Sequence, residues 1–277
     1  MNNSIRTFLL MIVLTVLFVW IGAELGGQTG AIFAFIVAGA MNFFAYWFSD
    51  KMVLKQYRAQ EVSEDNNPRL YNMVDALAAN ASLPMPKVYI IPEQTPNAFA
   101  TGRNPSHAAV AATEGILNLL DDKELSGVMA HELTHVKNRD ILTSTIAATF
   151  AGAIAMFGQF SRFGSSGRQG NKNPIMLILI MVGAPLIAMV IRMAISRVRE
   201  YAADKGGAEI SKQPLGLASA LSKLQQGVKQ NPISRGNPAH AHMFIINPFF
   251  GGIQKLFATH PSTEERIKRL QIIASQM

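Results

Sequence analysis

The sequence predicts a mainly α-helical protein with a small β-sheet. An N-terminal transmembrane hairpin leads into a water-exposed domain, which a second hydrophobic hairpin interrupts. Three observations predict this. Of the 277 residues, 49% are hydrophobic and only 16% charged, against about a quarter charged in an ordinary globular chain. The deficit is concentrated, because residues 7–23, 25–49, 141–161 and 173–191 carry no charge at all, and each stretch is long enough to span a bilayer. The remainder has an ordinary charge density and shows helix- and strand-like periodicity. Such a composition excludes a disordered chain, a collagen-like chain and a purely soluble enzyme. The chain divides into residues 1–50, the first hairpin; 51–140 and 194–277, two halves of one domain; and 141–193, the second hairpin.

The first apolar stretch follows a lone Arg6 and could be mistaken for a secretory signal. A second stretch begins within a few residues, however, which makes the pair a hairpin. Their connection carries only Glu24, whereas Lys51, Lys55 and Arg58 follow the second stretch. The positive-inside rule then puts both termini and residues 50–140 in the cytoplasm. Trp20, Tyr46 and Trp47 lie near stretch ends, as aromatic belts do. Residues 68–83 have helical spacing (Leu70, Met73, Val74, Leu77, Ala78, Ala81), closed by Pro84 and Pro86. Val88 to Ile91 is a short strand, and residues 107–113 are a second one. Asp121 or Asp122 caps a helix beginning near Lys123. Residues 163–173 form a Gly/Ser-rich loop, and residues 262–277 a polar helix starting at Ser262-Thr263-Glu264-Glu265.

The formal charge of +7 could suggest nucleic acid. The basic residues gather at the ends of the apolar stretches, so a lipid bilayer is the better partner and nucleic acid is not expected. The chain has no cysteine, which excludes disulfides, thiolate metal sites and cysteine nucleophiles. Any metal must be held by His, Asp and Glu.

The strongest chemical signal is His131-Glu132-Leu133-Thr134-His135. Residues i and i+4 share one helix face, so both imidazoles can reach one ion while Glu132 contacts its water. With 6 His in 277 residues, chance rarely yields this pattern. Catalytic zinc takes three protein ligands and keeps the fourth position for water, and Glu200 is the candidate third ligand. Asp204, one turn beyond Glu200 on the same face, can accept a hydrogen bond from a ligating histidine. The loop between the third and fourth apolar stretches carries Arg162, Arg168 and Lys172, against the positive-inside rule. Even so, the His motif and Glu200 must share one side, so the intervening stretches cross twice or not at all. Ile141 is about 9 Å of helix beyond His135, which places the metal close to the membrane surface. His240-Ala241-His242 lies in a Pro/Gly-rich stretch without acidic neighbours and is expected to be a flexible loop rather than a second metal site.

HELTH with the following Val136-Lys137-Asn138-Arg139-Asp140, Glu200-Tyr201-Ala202-Ala203-Asp204, Asn97-Ala98-Phe99-Ala100-Thr101-Gly102, and Thr259-His260-Pro261 with Glu265-Arg266-Ile267 together resemble the HtpX family of bacterial membrane zinc proteases. The match runs in order over nearly the whole chain. The resemblance implies a gluzincin-type zinc metallopeptidase: His131, His135 and Glu200 on one Zn2+, Glu132 as general base, and His260 as a donor to the oxyanion near the cleft. It further implies a multi-pass protein of the bacterial inner membrane with its catalytic domain in the cytoplasm. Its substrates would be damaged membrane proteins or unfolded polypeptides, met in stress quality control, with other quality-control proteases as candidate partners. Residues 108–113, including Ala109, Val110 and Ala111, are expected to form an edge strand that pairs with extended substrate. Asn97, Ala98 and Phe99 are expected to line the cleft, their plain reading being a turn. Two alternatives compete. CAAX prenyl proteases share the central motifs but are longer, with more spans, and a non-catalytic zinc scaffold or chaperone would have no need of Glu132. A transporter would require ionisable groups within its spans, and these four stretches have none.

Overall fold

The computed structural model describes residues 3–142, 197–230, 245 and 261–277. Residues 143–191, which hold nearly all of the third and the whole of the fourth apolar stretch, and His240, His242 and His260 lie outside the described residues. Helix α1, Asn3–Gln56, is two helices joined at Gly26 and Gly27, where the backbone leaves helical geometry. Only glycine takes the Gly27 conformation easily (φ 59°). The arms then meet so closely that a Cβ on Gly30 would lie 2.1 Å from the Gly22 carbonyl oxygen. Two segments, Thr7–Glu24 and Gly26–Phe48, are long and apolar enough to cross a membrane. Between the arms, Asn42 donates to Thr15 Oγ1 at 2.8 Å, while Phe8, Phe33 and Phe43 face outward.

Strands β1 (Gln60–Val62), β2 (Lys87–Ile91), β3 (Ala98–Gly102) and β4 (Ala108–Thr113) form one mixed sheet in the order β1-β2-β4-β3. β2 and β4 are parallel, with Val88 opposite Val110, and β3 pairs antiparallel with β4, Ala100 opposite Val110. This corrects the expectation that residues 108–113 form a substrate-pairing edge. β4 is flanked on both sides, and all six of its residues are buried. Its unbroken run of small apolar side chains is the signature of a strand covered on both faces. The edges are β1 and β3; the outer edge of β3 is open among the described residues, and β3 is a strand where a turn was the plain reading.

Alternation along the strands sorts their side chains onto two faces. Val88, Val110, Ala98 and Ala112 join a core built with Leu70, Val74 and Leu77 of α2 (Pro68–Asn80), and with Leu125, Val128, Met129 and Leu133 of α4 (Asp122–Lys137). Leu217, Leu221 and Leu224 of α6 (Pro214–Gln230) close that core. On the opposite face Ile91, Phe99, Ala109 and Ala111 pack against Val53 and Leu54 of α1. The membrane hairpin therefore continues directly into the support of the sheet.

Several termini follow local chemistry. Asn67 caps α2 by accepting from Leu70 N. Thr113 caps a short helix that the sequence reading missed, α3 (Glu114–Leu119). Asp121, not Asp122, caps α4 in a reciprocal capping box with Glu124. The buried Glu124 also accepts from Ser219 Oγ at 2.6 Å and Lys223 Nζ at 2.7 Å, which ties α6 to the start of α4. Helix α2 ends at Asn80, short of the expected 83, because Ser82 turns left-handed and Leu83 N bonds back to Ala78 O. The same Schellman closure ends α1 at Arg58 and α4 at Arg139. None of the three uses glycine, which hides the motif from a reading of the sequence.

Candidate metal centre

Helix α4 carries the His131 and His135 pair on a face turned toward α5, Arg197–Ser211. The two helices approach closely because α5 has glycines at the crossing. A Cβ on Gly207 would lie 2.9 Å from His131 N, and one on Gly206 2.5 Å from Thr134 Cγ2. Gly207→Ala is thus expected to destabilise the protein by about 1–3 kcal/mol through overpacking, despite the better helix propensity of alanine. A thermal melt that rises instead would show that the crossing has slack.

This approach brings three ligand types together. His131 Nε2 is 3.2 Å from His135 Nε2, 3.8 Å from Glu200 Oε2, and Glu200 Oε1 is 3.7 Å from His135 Nε2. The three residues form a cluster that could hold one metal ion. The rings stand nearly perpendicular, at 88°, with both Nε2 atoms turned to the same point. Each Nδ1 is backed by a carboxylate. His131 Nδ1 lies 3.0 Å from Asp204 Oδ1, approached off its N–H axis, and His135 Nδ1 donates to Asp140 Oδ2 at 3.2 Å. Such contacts fix tautomer and ring orientation.

Two of these supports were not assigned from the sequence. Asp140 reaches His135 because the left-handed Arg139 (φ 58°) folds the chain back, with Asp140 N bonded to His135 O. Arg266 arrives from α7 (Thr263–Gln276), a helix capped by Ser262. It is fully buried and donates to Asp204 through Nε (2.8 Å) and Nη2 (2.6 Å), with Nη1 3.8 Å from Glu200 Oε2. The sequence held Arg266 within the Glu265-Arg266-Ile267 motif without a role for it, and its spacing, four residues before the buried Leu270, was the cue to its burial. Burial would raise the Asp204 carboxyl, but the Arg266 guanidinium and His131 hold it down at about 2.

Glu132 sits beside the triangle and accepts the N–H of Ala100, on the free edge of β3, at 3.0 Å. Burial pushes its carboxyl up, and the two imidazoles pull it back only in part. Because successive residues face opposite ways in a strand, Ala98, Ala100 and Gly102 turn their backbone groups to the open edge while Phe99 and Thr101 bond β4. The other residues expected at the cleft are placed differently. Asn97 is buried, its amide oxygen accepting from Ile245 N at 3.2 Å. Phe99, Ala109 and Ala111 point to the face covered by α1, and Val110 to the core.

Residues 64–274 match the model of Peptidase family M48. The chain belongs to this family. The M48 chain is 56% identical over 283 residues to a Protease HtpX homolog of Methylibium petroleiphilum, with 100% of this chain and 99% of that protein covered. It is 55% identical over 279 residues to a Protease HtpX homolog of Ralstonia pickettii (99% and 98% covered). The crystal structure of S. mikatae Ste24p superposes with a TM-score of 0.53 at 17% identity; the match covers 97% of this chain and spans 65% of that longer one. This M48 protein is a metallopeptidase of the membrane, with two N-terminal segments long and apolar enough to cross a bilayer.

His135 links this centre to pH. Burial lowers its affinity for a proton, but Asp140 on Nδ1, with Glu200 and Glu132 nearby, raises its pKa to about 9 in the metal-free site. A ligating imidazole must be neutral. Below about pH 9 the metal therefore displaces a proton, and its apparent affinity should rise up to tenfold per pH unit before levelling off. Chelator-buffered titrations at several pH values test this, and affinity independent of pH between 6.5 and 8.5 would contradict it.

Proposed function

We propose that this metallopeptidase is a zinc endopeptidase whose catalytic domain faces the cytoplasm at the bacterial inner membrane. The observation that carries it is the placement of the Glu132 carboxylate between the three-ligand triangle and the open edge of β3. Tetrahedral zinc with bonds of about 2.0–2.1 Å sets its ligand atoms about 3.3–3.4 Å apart; here the two Nε2 atoms are 3.2 Å apart, each has a different Glu200 oxygen at 3.7 or 3.8 Å, and one ligand atom from each residue lies within 4.8 Å of the others. Two imidazoles with one carboxylate suit zinc and not an oxygen-preferring calcium or magnesium ion. His131, His135 and Glu200 would hold the ion. When bound, it supplies a Lewis acid that polarises the scissile carbonyl and acidifies water.

The remaining chemistry belongs to the chain. Glu132 takes the proton of the attacking water and returns it to the leaving amine. Asp204 and Asp140 keep the imidazoles in one tautomer, and Arg266 keeps Asp204 ionised and in place. Extended substrate adds to the outward backbone groups of Ala98, Ala100 and Gly102, a mode that reads backbone rather than side chains. His260 is the candidate donor to the oxyanion. The substrates are damaged membrane proteins or unfolded polypeptides of stress quality control, with other quality-control proteases as partners.

Metal analysis and peptide cleavage by the purified protein test this reading. One zinc per chain is expected, with cleavage abolished by a chelator and restored by zinc. Cleavage that survives complete metal removal would refute it. Orientation is tested by single cysteines at Ser63 and Ser275 in this cysteine-free chain. Their labelling by an impermeant reagent outside intact cells would reverse the topology.

A further inference from the structure

The open edge of β3 is joined to the membrane hairpin at both of its sides. At its end, Gly102 takes a φ of 134°, and the next residue, Arg103, lays its guanidinium over Trp47, 4.4 Å from the ring centroid. Trp47 is in the last turn of the Gly26–Phe48 segment, where an indole sits at headgroup level. On the covered face of the strand, Phe99 packs on Tyr57 with ring centroids 5.8 Å apart, and on Val53 and Leu54. These belong to or directly follow α1, whose only break is at Gly26 and Gly27. Span, strand and Glu132 are therefore one connected body, with the strand held at a set distance from the bilayer. Ala100, whose N–H Glu132 accepts, is three residues along the chain from Arg103, about 10 Å when extended.

We infer that the Arg103–Trp47 contact determines where this peptidase cuts. The preferred substrate is an extended segment of a membrane-anchored protein, cleaved about three to four residues from the end of its transmembrane span, the number that bridges this distance at about 3.3 Å per residue. A segment emerging beside Trp47 meets the open edge of β3 at its Gly102 end and reaches Glu132 without a slack loop. A cleavable site further out must loop back and loses the benefit of a matched tether. The inference rests on the peptidase reading above.

The test co-reconstitutes the full-length, zinc-loaded protein in lipid bilayer discs with single-span reporters. Each carries the same cleavable segment at about 4, 8, 12 or 20 residues from its span, and the same segment is supplied as a free soluble peptide. Cleavage should be fastest at the shortest spacings and fall about tenfold by the longest. Arg103→Ala and, separately, Trp47→Leu, which keeps the span apolar, should flatten this preference while leaving hydrolysis of the soluble peptide unchanged. Equal cleavage at every spacing by the parent overturns the inference, as does an undiminished preference in both variants. Failure of the zinc-loaded parent to cut even the soluble peptide would instead sink the peptidase reading.

Discussion

Glu132→Gln is expected to keep about one metal ion per chain and to lower kcat by about 10^2 to 10^4-fold, the contribution of a positioned general base. The argument is geometric. The ion would lie among His131 Nε2, His135 Nε2 and Glu200, a set that does not include Glu132. The glutamine oxygen can still accept the Ala100 N–H, so the edge of β3 should stay in place. What the variant loses is a group able to take a proton from water and give it to an amine. Metal content measured beside turnover at saturating zinc separates the roles. Normal turnover would move the base elsewhere, and loss of metal would make Glu132 a ligand. Glu200→Gln should show the opposite pattern, losing metal first.

The second large effect is expected at Arg266. Its guanidinium is 1% exposed and forms a two-pronged pair with Asp204, itself 1% exposed. Arg266→Met removes the cation and strands a buried carboxylate, with Glu200 close by. Breaking such a pair from one side costs about 3–5 kcal/mol, because the remaining charge stays desolvated and unpaired. The sign of the metal effect discriminates. A bound divalent cation returns positive charge to the same cluster, so the deficit should be largest in the metal-free protein and smaller once zinc is added. Arg266→Lys keeps the charge but not the planar fork and should fall between. Melting curves of the three forms, with and without zinc, read this directly. An Arg266→Met protein that melts with the parent in both states would mean that the pair contributes nothing.

The reading of residues 108–113 shows where sequence logic fails. An alanine-rich run says only that a strand is buried, and it was read as an edge because a protease needs one. Which strand is an edge depends on the order β1-β2-β4-β3, a long-range property absent from any single segment. Asn97 and Phe99 show a related limit. Phe99 lies in β3, where the pleat points it to the α1 side, and Asn97, just before the strand, accepts from Ile245 N. The end of α2 was misjudged by three residues because Ser82 adopts a left-handed conformation that favours glycine.

By itself the sequence determined the features that are local or strictly periodic. These are the apolar spans, because a bilayer demands long charge-free runs; the His131 and His135 pair with Glu132, because a spacing of four places two side chains on one helix face; and the pairing of Glu200 with Asp204, by the same spacing. Only the tertiary structure decided what joins one segment to another. It set the close crossing of α4 and α5 at Gly206 and Gly207 that brings Glu200 to the histidines. It also placed Asp140 and Arg266 behind them and made β3 the open edge beside Glu132. The physical reason is that metal binding, buried ion pairs and strand edges depend on distances between residues far apart in the chain, and packing sets those distances while periodicity does not.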